Sequence, residues 1–98
     1  MRVRYHVLAR VDVREAVEYY RDEGGYGLAS EFFSELERCI KQIATRSRSF
    51  AVVKTNVRRC NMRRFPYHVN FEIIDDRSVK LLVVKHNQRD PSYGMDRR

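Results

Sequence analysis

A chain of 98 residues has room for one hydrophobic core, so residues 1–98 are read as a single domain. Hydrophobic residues at 43% and charged residues at 34% exclude a disordered tail, and no apolar run approaches the roughly 18 residues that span a bilayer. The net charge of +7 is unevenly placed: residues 1–44 carry 7 Lys/Arg against 8 Asp/Glu, and residues 45–98 carry 13 against 5. The second half therefore attracts polyanions or an acidic protein partner.

Basic residues in Met1–His6 have no apolar stretch behind them, which argues against a secretory signal. Cys39 and Cys60 lack metal-ligand spacing, so reduced thiols, a cytoplasmic location and no metal are expected. Tyr5–Leu8 reads as a short first strand. Asp12 followed by Glu15 forms a capping-box signal that predicts a helix from Val13 to about Asp22, with Ala16, Val17, Tyr19 and Tyr20 on its buried side. Gly24-Gly25 ends it. Leu28, Phe32, Leu36, Cys39, Ile40 and Ile43 then recur at spacings of three and four, the apolar stripe of a second helix. Two helices joined by a short glycine turn make an antiparallel hairpin.

Beyond Thr45–Ser49 the pattern becomes extended, with strands expected at Phe50–Val53, Val57–Met62, Tyr67–Ile74 and Ser78–His86. Val69, Phe71 and Ile73 alternate with His68, Asn70 and Glu72, the mark of one buried face. The run Leu81–Val84 is apolar on both faces, as in a central strand. Asp75-Asp76-Arg77 supplies the hairpin turn between them. The expected fold is α+β: an N-terminal strand, then a helical hairpin on one face of a curved, mainly antiparallel sheet of about four strands. The other face is expected to be partly open and to carry much of the basic charge.

Three stretches resemble the RelE/ParE toxin family. The first is the helical part Ala9–Ile43, with Tyr19-Tyr20, a glycine turn, Leu28-Ala29 and Phe32. The second is Arg63-Arg64-Phe65-Pro66-Tyr67-His68-Val69-Asn70-Phe71. The third is His86-Asn87-Gln88-Arg89-Asp90-Pro91 followed by Tyr93 and Arg97, similar to the family's His-x-x-Arg-x-Pro ending. The resemblance implies a cytoplasmic growth inhibitor of a type II toxin–antitoxin pair, neutralised by a cognate antitoxin and needing no cofactor. It leaves the target open, because RelE-like members cut mRNA on the ribosome whereas ParE-like members block DNA gyrase without being nucleases.

Aligned with the ribonuclease branch, the catalytic lysines of that branch fall near Arg59 and Asn61, its two arginines at His68 and Asn87, and its tyrosine at Tyr93. An asparagine brings a dipole where phosphate charge needs a cation, so a RelE-type site is incomplete. A rearranged site would hold phosphates on Arg63, Arg64 and Arg89 and transfer protons through His68 or His86, with Tyr93 as a further catalytic candidate. Arg58, Arg59, Arg63, Arg64 and Lys85 are candidates for contact with nucleic acid or an acidic partner. Arginines on adjacent strand positions point to opposite faces, so at most one of each pair meets a given ligand. Three functions stay open, in order of preference: a non-nucleolytic gyrase inhibitor, a ribosome-dependent mRNA endonuclease, and a non-toxic basic nucleic-acid-binding module.

Overall fold

Strand β1 (Arg2–Tyr5) runs almost directly into a helix, α1 (Val7–Arg46), in the computed structural model, which describes residues 1–98. His6 caps the helix: its Nδ1 accepts a hydrogen bond from the Leu8 N–H at 3.0 Å, satisfying one of the donors that a helix start leaves free. The first strand thus lies earlier than the expected Tyr5–Leu8, and the helix begins well before Val13. Asp12 caps nothing. It sits inside the helix and is only 6% exposed.

Gly25 breaks α1 into two arms, 7–24 and 26–46, by taking φ 82° and ψ −174°, a backbone conformation that a Cβ would oppose. The arms fold back on each other as the expected hairpin, and Tyr20 stacks on Phe32 with ring centroids 5.2 Å apart. Ala16 is buried and Val17 and Tyr20 are partly so, but Tyr19, expected inside, is 54% exposed. The second arm buries Phe32, Leu36, Cys39 and Ile43, at the spacing expected of one helix face. Cys39 and Cys60 are buried and unbridged. No helix is long and apolar enough to cross a membrane.

A 3-10 turn (Ser47–Ser49) leads to β2 (Val52–Lys54), β3 (Val57–Asn61), β4 (Tyr67–Asp75) and β5 (Ser78–His86). The five strands are ordered β1-β5-β4-β3-β2, one more than the approximate four expected. β1 runs parallel to β5, and the other neighbours are antiparallel. Phe50, expected in a strand, lies before β2 and packs its ring edge-on against Phe71 at 5.7 Å. α1 covers one face of the sheet, where Cys60, Val69, Phe71, Val79, Leu81 and Val84 complete the main core.

The two-sided burial of Leu81–Val84 has a local cause. Between β4 and β5 the register slips from Asn70↔Val83 to Phe71↔Leu81, leaving Leu82 as an extra, bulged residue. Leu81 and Val84 therefore join the core under the helix, while Leu82 and Val83 join a second cluster with Val57 on the far face. β1 ends opposite Leu81, so beyond that point the edge of β5 away from β4 has no strand beside it.

Candidate functional site on the open face of the sheet

Alternation along the strands sorts the side chains. Val69, Phe71 and Ile73 of β4 face the helix, so His68, Asn70 and Glu72 face away from it. On β3, Cys60 faces the helix, which leaves Val57, Arg59 and Asn61 on the open face.

Residues 87–98 fold back over part of this face. Tyr93 and Met95 pack on Val57, Leu82 and Val83. The passage is tight at Gly94 (φ 76°), where a Cβ would stand 2.4 Å from Cγ2 of Val83. Arg97 then turns around the uncovered edge of β5. Its Nη1 donates to Oδ2 of Asp12 at 2.7 Å and to the Leu82 carbonyl at 2.9 Å, while the Val84 N–H donates to the same carboxylate at 3.0 Å. A carboxylate and a guanidinium thus take the place of the missing strand. Both residues are at least nine-tenths buried, and burial with the Asp12 contact is tolerable only because the charges meet.

Between this segment and the strands lies a concavity of ≈ 210 Å³, whose polar lining is Arg59, His68, Asn70, Lys85, Asn87 and Arg89. His68 is 3% exposed, and its Nδ1 meets Oδ1 of Asn87 at 2.8 Å. With the Asn87 carbonyl as acceptor, the ring carries its proton on Nδ1 and keeps Nε2 as an acceptor. Burial, reinforced by the charges of Arg59 and Lys85, holds its pKa below the ordinary value against the Asn87 hydrogen bond, so the imidazole is neutral at physiological pH. Lys85 is 5% exposed, and burial lowers its pKa as well. Its Nζ donates to the carbonyls of Asp90, Pro91 and Tyr93 at 3.4, 3.0 and 3.0 Å, which anchors the C-terminal segment.

Four sequence candidates, Arg59, His68, Lys85 and Arg89, thus share one concavity. Tyr93 lies beside it with the Arg89 guanidinium 3.8 Å above its ring, but its hydroxyl donates to Oδ1 of Asp12 at 2.8 Å. His86 lies on the other side of the sheet, where its ring meets Tyr67 edge-on at 5.3 Å. Arg58 points the same way and donates to the carbonyls of Arg48 and Phe50 at 3.1 and 2.8 Å.

Arg63 and Arg64 lie in the turn between β3 and β4 against the second helical arm. Their N–H groups converge on Oε1 of Glu35 at 2.6 and 3.4 Å, and the Arg64 guanidinium pairs with Glu31 at 3.2 Å. The hydrogen bonds from Arg38, with those two N–H groups adding to them, lower the Glu35 pKa to about 2 despite its burial. These contacts place the pair outside the concavity that holds His68. The structure also adds Asp12 and Asn70, neither of which the sequence marked as part of a site. The one sequence signal for Asp12 is a carboxylate flanked by Val11 and Val13.

The family profile described as "ParE toxin of type II toxin-antitoxin system, parDE" matches residues 3–91. The chain belongs to this family. Among solved structures, a chain of the chromosomal ParDE toxin–antitoxin system from P. aeruginosa superposes on this ParE-family chain with a TM-score of 0.76. The match covers 88% of this chain and 95% of that one at 16% identity, a likeness of fold. Comparison with curated proteins gives no match.

Proposed function

We propose that this ParE-family chain is a growth-inhibiting toxin that blocks DNA gyrase without cutting RNA, and that a cognate antitoxin neutralises it. The observation that carries the non-nucleolytic reading is how the polar groups of the concavity are occupied. Cleavage of RNA through its 2′-hydroxyl needs a base, a proton source and cations over the phosphate. The Tyr93 hydroxyl is given to Asp12, the Lys85 ammonium to three carbonyls, and Asn87 is engaged by His68. A proton donor to the leaving oxygen is lacking among them.

The antitoxin partner finds support on the other side of the molecule. The helical arms leave a groove of ≈ 700 Å³ with apolar walls from Val13, Val17, Phe33, Leu36 and Ile40. Arg10, Arg14, Arg21 and Lys41 outnumber Glu18 and Glu37 along it. An amphipathic helix with an apolar stripe and acidic flanks fits such a groove by both shape and charge.

The second reading, a ribosome-dependent mRNA endonuclease, has one observation in its favour: a neutral His68 shares the concavity with Arg59 and Arg89. Pulse labelling with thymidine and methionine after induction without antitoxin separates the two. Gyrase inhibition predicts early loss of DNA synthesis with a DNA-damage response. An early fall in protein synthesis with DNA synthesis spared would overturn it in favour of the endonuclease.

A further inference from the structure

The open face of the sheet carries a set of cations that the fold leaves out of ion pairs. The ion pairs of the molecule engage Arg21, Arg38, Arg48, Arg64 and Arg97. Val3 and Tyr5 of β1 pack into the core under the helix, so Arg2 and Arg4 alternate to the open face. Val79 and Leu81 do the same on β5, placing Lys80 beside Arg4, its partner in the register. Arg59 and Arg89 lie at the other end of the face, around the concavity. None of these five is in an ion pair. The carboxylates near them include Glu72, opposite Lys80; Asp75, whose charge Arg4 feels and whose Oδ1 accepts from the Arg77 N–H and the Ser78 hydroxyl; and Asp90, whose charge acts on Lys85.

We propose that this face binds the phosphate backbone of duplex DNA, an activity distinct from and independent of the choice of protein target. The two ends of the face are separated by a ridge, Tyr93–Met95, seated on Leu82, Val83 and Val57. With strands about 4.8 Å apart and residues about 3.4 Å apart along them, Arg4 and Lys80 lie roughly 12–16 Å from Arg59. A ridge flanked by cations at that separation matches the major groove of B-form DNA, about 12 Å wide between its two rows of phosphates. The deep, narrow major groove of an RNA duplex does not admit such a ridge. Single strands are held by exposed aromatic platforms, and this face has none: His68 is buried, and the Tyr93 ring lies under both Arg89 and Arg97. Contacts to phosphate alone carry no sequence preference.

The test is fluorescence anisotropy of the purified toxin with a short duplex of arbitrary sequence across a salt series. Each phosphate contact contributes about 0.9 to the slope of log K against log salt, so binding should steepen to about −3 or beyond. Arg4→Glu with Lys80→Glu should make the slope shallower by about 2 and weaken binding at least ~10-fold at about 100 mM salt. The neutral pair Arg4→Gln with Lys80→Gln should show a smaller loss in the same direction and should melt near the parent, whereas the glutamate pair, which faces Glu72, should melt somewhat lower. Arg46→Glu with Arg48→Glu changes net charge equally away from this face and should leave most of the affinity. The proposal fails if the duplex does not bind at low salt, or if both glutamate pairs lose affinity equally. It also fails if single-stranded RNA or a polyglutamate peptide binds more tightly than the duplex.

Discussion

Asp12 and Arg97 are 85 positions apart, yet their contact joins the ends of the fold. Removing one partner strands a buried charge, together with the Val84 N–H or the Leu82 carbonyl that it satisfies. Asp12→Ala should therefore cost ~3–5 kcal/mol in urea denaturation, whereas Asp12→Leu combined with Arg97→Met should cost less than the single change. A single variant as stable as the parent would show that the pair does not hold the segment. Glu35 gives a pH signature of a different kind. Its folded pKa, about 2, lies below the ordinary 4.5. Its contribution is therefore present above about 4.5 and is lost as the pH falls from there towards 2. Its side chain is 11% exposed, so screening is modest, and Glu35→Gln should cost on the order of 2 kcal/mol at neutral pH. The variant should also flatten the stability curve between pH 5 and about pH 2. Parallel pH curves for the variant and the parent would contradict this role.

At the level of elements, two glycines set the path of the chain. Gly25 stands in open space with a positive φ, so Gly25→Ala meets only backbone strain and should cost about 1–3 kcal/mol. Gly94 combines a positive φ with contact against Val83, so Gly94→Ala must also displace the C-terminal segment. It should be the more damaging of the two in urea denaturation and should increase hydrogen exchange at Val84, whose N–H the Asp12–Arg97 pair protects. Equal costs at the two positions would argue against the clamp. The elements themselves were legible where local pattern decided them. Ser78–His86 was read with its observed bounds, and the stripe Phe32, Leu36, Cys39 and Ile43 is the buried one. The helix start was misread because Asp12 and Glu15 have the spacing of a capping box, while the real partner of Asp12 lies near the far end of the chain. A local rule cannot see such a contact. Nor can it see that the turn between β3 and β4 directs Arg63 and Arg64 to Glu31 and Glu35 on the second helical arm.

At the scale of the whole molecule, the sheet separates two surfaces of different chemistry. The helical side has an apolar groove rimmed by Arg10, Arg14, Arg21 and Lys41, and the open side has Arg2, Arg4, Lys80, Arg59 and Arg89 around the C-terminal segment, so one can be altered without touching the other. Phe33 isolates the groove, because it lines the wall and is 46% exposed while its neighbour Phe32 carries the core contacts. Phe33→Glu should leave folding stability within about 0.5 kcal/mol, as is usual for a surface position. It should weaken binding of the proposed antitoxin at least ~30-fold, the scale of a central aromatic anchor. Glutamate also places a like charge before acidic flanks, so the loss should exceed that of Phe33→Ala. Titration calorimetry checks the affinities, and growth on co-expression checks the consequence: the variant should remain toxic and escape neutralisation at antitoxin levels that silence the parent. Unchanged affinity for both Phe33 variants would move the antitoxin off the groove. Toxicity lost together with neutralisation would mean that the groove also serves the target, and that the two surfaces are not independent.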